Sequence, residues 1–107
     1  MKPWEIWTGD LFGPHPCVIV SNAGRAERKN RVVVLKCTTI YSGDASPNEF
    51  EAVLDESDGL DRKTRCTCDL LFTVDKTGLK NRRGEVAHAR RRDIAQKIIR
   101  GLCIAGL

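Results

Sequence analysis

The sequence predicts an α+β domain, a barrel-like antiparallel sheet with one closing helix at the C-terminus. Three observations predict it. Short apolar, β-branched runs recur along most of the chain, separated by stretches of Gly, Asp, Ser and Pro. Ile94, Ile98, Ile99 and Leu102 then fall at helical spacing and form one apolar stripe. No repeat, low-complexity segment or linker divides the 107 residues, a length that suits one compact domain over residues 1–107.

Trp4 to Thr8 alternates and is the expected first strand, with Trp4, Ile6 and Thr8 on one face and Glu5 and Trp7 on the other. The two tryptophans are expected in the core or in a dimer contact. A loop through Gly13-Pro14-His15-Pro16 follows. Each proline fixes its own φ and pushes the preceding residue to an extended conformation, so His15 has little freedom. Cys17 to Val20 is the second strand, closed by Ser21-Asn22, and Arg25 to Asn30 reads as a charged turn. Arg31 to Cys37 is the clearest strand, and its three successive valines imply that both faces are covered. Hydroxyls appear at its exit, in Cys37-Thr38-Thr39-Ile40. Ser42 to Asn48 is a loop, and Phe50 to Leu54 a strand stopped by Asp55 to Gly59. From Arg65 to Phe72 the period of two places Arg65, Thr67, Asp69 and Leu71 on one face and Cys66, Cys68, Leu70 and Phe72 on a core face. Gly84 to Val86 is a short last strand. In the helix, Arg90, Arg91, Lys97 and Arg100 lie off the apolar stripe, and Gly101 weakens the helix by about 1 kcal/mol relative to Ala.

The composition excludes several classes. No apolar run approaches the length of a membrane span. The N-terminus carries an early acid and no apolar h-region, so a cytoplasmic protein is expected. Five cysteines form an odd set without a disulfide framework, and the one-residue spacing of Cys66 and Cys68 is not that of a zinc site. They read as small core residues, and neither a metal nor a cofactor is expected. The net charge of +4 hides an asymmetry: residues 1–61 hold 6 Lys/Arg against 10 Asp/Glu, and residues 62–107 hold 12 against 4. A basic second half suits a polyanion such as RNA.

Taken in order, several segments resemble the PemK/MazF family of type II toxins. They are Glu5-Ile6-Trp7, Pro16 to Asn22, Cys37-Thr38-Thr39, Phe50 to Leu54, Gly59-Leu60, Cys68-Asp69, Thr73 to Lys76 and a terminal helix ending in Gly-Leu. The resemblance implies a small SH3-like antiparallel barrel of five to seven strands that dimerises. It also implies a metal-independent, sequence-specific endoribonuclease acting on single-stranded RNA, and an antitoxin partner whose acidic, flexible tail occupies the RNA groove. Two positions differ from the family pattern. The usual Arg-Pro is His15-Pro16 here, and an arginine that some members carry two residues before the aspartate is Thr67, with Arg65 the nearest arginine on the same face.

Metal-free cleavage drives the 2′-hydroxyl onto its own phosphodiester, which needs proton transfer and positive charge at the phosphate. Histidine, as a residue type, transfers protons near neutral pH, and arginine bonds two phosphate oxygens at once. The expected catalytic set is His15 for proton transfer, Thr38 or its neighbour as a donor to phosphate, Asp69 as base or orienting group, and Arg65 for charge. The expected RNA contacts are Thr39, Thr67, Arg82 and Arg83, with Tyr41 and Phe50 as stacking candidates and Phe50 the more buried of the two. His88 is expected to cap the helix or face water. The alternative is a non-enzymatic binder, either a gyrase poison or an inert relative that only binds an antitoxin. A catalyst requires His15 close to Thr38, and a binder does not.

Overall fold

The computed structural model describes residues 1–103, so the terminal Gly-Leu of the resemblance lies outside the described residues. Six antiparallel strands make one sheet: β1 (Glu5–Asp10), β2 (Pro14–Ile19), β3 (Arg31–Thr39), β4 (Glu51–Leu54), β5 (Thr64–Asp75) and β6 (Lys80–Glu85), in the order β4-β5-β3-β2-β1-β6. Two helices complete it, α1 (Ala23–Arg28) and α2 (His88–Gly101).

The sheet curls until its outer strands approach. The short 3-10 turn after β4 (Glu56–Asp58) lies against the Arg83-Gly84 backbone of β6. Gly84 permits this: a Cβ there would collide with the Asp58 carbonyl. Curling buries the concave face around Ile6, Val18, Leu35, Cys37, Leu54, Cys66, Cys68 and Val86, with Ile94 of α2 inserted. A second cluster on the other face joins Cys17, Ile19, Val32, Val34 and Leu79 to Ala26 of α1. Each fully buried Ile, Leu or Val contributes about 1.5–3 kcal/mol. Both faces of β3 are thus covered, as its valine run implies, although Val33 itself is only half-buried.

Several boundaries move. Trp4 has φ 72°, a left-handed conformation that delays the first strand to Glu5. Its ring carries the Arg91 guanidinium 5.9 Å from the centroid, and Trp7 packs on the second cluster. The expected charged turn at 25–30 contains helix α1, started by Asn22, whose side chain accepts from the Arg25 amide at 2.9 Å. His15 is not in a loop but inside β2, paired with Gly9. The last strand spans Lys80–Glu85 and so carries Arg82 and Arg83. On α2 only Ile94 is fully buried; Ile98 packs partly and Ile99 is 47% exposed. His88 opens α2 and is exposed, without a capping bond.

The largest departure is in β5. Between the pairs Leu35–Leu71 and Cys37–Cys66, β5 advances five residues while β3 advances two. Three extra residues reverse the face parity. Cys66 and Cys68 therefore point into the first cluster, as expected, but Phe72 and Val74 pack on the second, and Leu70 and Leu71 are exposed. Four cysteines are buried free thiols and Cys103 is exposed. Burial pushes the Cys17 thiol up to about 11, and the Cys37 thiol and burial together push Cys66 well above the usual thiol range.

Candidate active site

The site is built where the β2–β3 ladder stops. Cys17 pairs with Lys36, Val18 with Leu35 and Ile19 with Val34. One step further stands Pro16, which has no amide to donate. The Cys37 carbonyl is instead met by the imidazole of His15, whose Nδ1 donates to it at 3.0 Å. A carbonyl only accepts, so this bond puts the proton on Nδ1 and leaves Nε2 of the neutral ring as an acceptor. The next residue on β3 is Thr38, exposed and paired with Arg65 of β5. The register places His15, Lys36, Thr38 and Arg65 on one face, because paired residues and residues two apart in a strand point the same way.

The expected residues separate into groups. His15 and Thr38 come together. Arg65 shares their face, but it is spent: Nη1 binds Glu51 at 3.1 Å with both side chains largely buried, and Nη2 binds the Ala45 carbonyl. It ties the loop 41–49 to the sheet. Thr67 is opposite Glu51 and half-buried. Asp69 stands in the irregular part of β5, where its Cβ lies beneath Gly101 of α2. Phe50 is half-buried and also reaches Gly101, whereas Tyr41 is 60% exposed in its loop.

Thr39 points to the other face, as the alternation from Thr38 requires. It lines a shallow cavity of about 180 Å³ with Pro16, Leu60, Arg62, Thr64 and Arg83. Arg83 donates to Thr8 Oγ1 at 3.4 Å and reaches Asp61 at 4.0 Å. Arg82 is held by Glu5 at 2.9 Å and by Glu85 at 3.8 Å. Burial raises the Glu5 carboxyl, but bonds from the Lys2 amide, the Trp7 indole and Arg82 outweigh it and hold Glu5 below the usual range. Much of the basic second half therefore serves internal ion pairs.

Sequence reasoning missed two residues at this face. Lys36 reads as one more position of a buried strand, and Phe12 as part of a connection. Phe12 is 90% exposed at the β1–β2 turn, with Lys36 Nζ 5.5 Å from its ring centroid. The signal for Lys36 was a lone cation in an apolar run, and only the strand register gives it meaning. No group of three His, Cys, Asp or Glu side chains among the described residues is arranged to hold a metal ion.

A curled six-stranded antiparallel sheet with one C-terminal helix defines the fold class. Residues 2–102 match the family of PemK-like, MazF-like toxins of type II toxin-antitoxin systems, and the chain belongs to that family. It is 33% identical over 93 residues to the probable endoribonuclease MazF5 of Mycobacterium tuberculosis, covering 84% of this chain and 82% of that protein. In shape it is similar to an endoribonuclease in complex with its cognate antitoxin from a mycobacterial species, at 25% identity, with a TM-score of 0.83 over 95% of this chain and 94% of that one. The fold is also that of the M. tuberculosis toxin MazF-mt6, with a TM-score of 0.79 over 91% and 94% of the two chains at 21% identity.

Proposed function

We infer that this chain is the toxin of a type II toxin-antitoxin pair and acts as an endoribonuclease. Family membership and the endoribonuclease relative support that reading, and the antitoxin complex of a similar structure supports an antitoxin as partner. The finer reading is cleavage of single-stranded RNA at short sequences, without a metal. The observation that carries it is the bond from His15 Nδ1 to the Cys37 carbonyl, beside Thr38.

In this mechanism His15 Nε2 takes the 2′-proton, the 2′-oxygen bonds to phosphorus as the bond to the 5′-oxygen breaks, and the departing 5′-oxygen takes a proton from solvent to end as the 5′-hydroxyl, while the imidazolium returns its own proton to solvent. Thr38 donates to a phosphate oxygen where charge develops. The carbonyl of Cys37 holds the ring through Nδ1 and favours the imidazolium that forms. Asp69, set apart beneath α2, takes no step in this mechanism. Tyr41 offers an exposed ring for base stacking, and Thr39 with Arg83 lines a path for phosphates beyond the cut. The chain works as a homodimer in the cytoplasm; exposed Leu70, Leu71 and Ile99 are apolar surface that a second copy covers. Among the described residues no helix is long and apolar enough to cross a membrane.

The test is incubation of purified protein with long RNA in EDTA, followed by mapping of the cut ends. Ends with 2′,3′-cyclic phosphate and 5′-hydroxyl are expected. Intact RNA, together with trapped DNA cleavage in expressing cells, would select the gyrase-poison alternative.

A further inference from the structure

We propose that Lys36, not Arg65, supplies the positive charge that meets the scissile phosphate, and that Phe12 positions it. The inference rests on the nuclease reading above and names a residue that the reading leaves out. Arg65 is neutralised by Glu51 at 3.1 Å and engaged by the Ala45 carbonyl. Turning it to a ligand would strand the largely buried Glu51 carboxylate, which is costly. Lys36 has no carboxylate within ion-pair distance among the described residues. Its strand position fixes where its charge acts. It pairs with Cys17, two residues from His15, and it precedes Thr38 by two on the same strand. Cation, imidazole and hydroxyl therefore rise from adjacent positions of one face.

Phe12 explains how a flexible lysine is held there. The β1–β2 turn places Phe12 at φ 59°, a left-handed conformation that is strained for a bulky residue. The turn is stabilised by the Gly13 amide bonding Asp10 at 3.0 Å and the Leu11 amide bonding the Gly13 carbonyl at 2.9 Å. The strained conformation leaves the ring 90% exposed, and the ammonium of Lys36 sits over it. The ring holds a cation without neutralising it, whereas a carboxylate would cancel the charge a phosphate must meet. Lysine, as a compact charge on a long stem, suits a phosphate that moves as the ester cleaves.

The test uses full-length protein and two readouts. One is cleavage of RNA. The other is binding of an uncleavable 2′-O-methyl oligonucleotide as a function of salt, which remains measurable if a variant stops cutting. Lys36→Gln should slow cleavage at least 10-fold and lower the slope of log affinity against log salt by about 0.7, the contribution of one phosphate contact on a single strand. Lys36→Arg should restore most of both. Phe12→Ala should slow cleavage about 2- to 5-fold and leave the slope in place. Arg65→Gln should move the slope less than Lys36→Gln. Wild-type cleavage with an unchanged slope in Lys36→Gln overturns this inference alone. So does a lowered slope with full cleavage, since the lysine would then touch RNA away from the cut. A wild-type protein that neither binds nor cuts RNA overturns the nuclease reading, and this inference with it.

Discussion

Two polar clusters in this molecule look alike as lists of residues and differ in what they leave unfilled. The first surrounds Asp58, whose side chain is fully buried. Its carboxylate accepts from the Ala87 amide at 2.7 Å, the Asp55 amide at 2.9 Å and Arg90 at 2.7 Å. Arg90 also donates to the Val53 carbonyl and to Asp55. Both carboxylate oxygens of Asp58 have donors, and the cluster joins the β4 edge to the start of α2. The second cluster is His15, Thr38 and Lys36. There His15 uses one ring nitrogen, Thr38 is exposed and Lys36 rests on an aromatic ring. Saturated polar groups hold a fold together, and partly filled ones on a rigid strand are available to a ligand. That difference separates the clusters better than residue type does.

Substitutions sharpen the comparison. The largest stability effect is expected at the saturated cluster. Asp58→Ala leaves two amides without their acceptor and takes one of two carboxylates from the partly buried Arg90, and should cost about 3–5 kcal/mol in urea unfolding. Thr38→Ala should do the reverse, with cleavage slowed about 10²-fold and little change in urea midpoint, because the residue is exposed. A drop in stability without loss of cleavage there would place Thr38 with the structural residues. Gly101→Ala tests the contact that holds Asp69. The added Cβ would stand 2.6 Å from the Asp69 Cβ. Overpacking of about 1–3 kcal/mol should outweigh the helix gain of about 1 kcal/mol, so net destabilisation is expected. The smallest effect concerns acid. The Ser57 amide and Arg90 hold the Asp55 carboxyl low, and Glu5 is also held low. Both bind protons more readily in the unfolded chain, so stability present above the ordinary carboxylate range is lost as pH falls below about 4. Arg90→Gln should weaken the Asp55 part of that loss in a melting series against pH.

The sequence made the strand order of events readable and left their partners hidden. The valine run, the apolar helix stripe and the proline-flanked histidine all carry local signals, and each element is found within a few residues of its expected place. The β5 bend carries none, because three extra residues in one strand mean nothing without the strand opposite. The same holds for Arg65, whose partner Glu51 lies on another strand, and for Asp69, which the bend moves beneath α2. The helix at Ala23–Arg28 overlaps a stretch, Arg25 to Asn30, that reads as a charged turn, because six residues with one buried alanine show no apolar stripe. At the site, His15 and Thr38 were legible as residue types. The bond that fixes the ring's proton was not, since it follows from a missing Pro16 amide across a register the sequence does not show.

The most direct test of the central claim is RNA cleavage in EDTA by wild type and His15→Ala, with thermal melting of both. The account predicts a loss of about 10²- to 10⁴-fold with a nearly unchanged melting temperature, because one partly exposed hydrogen bond contributes about 1 kcal/mol. Full cleavage by a folded His15→Ala protein would contradict it.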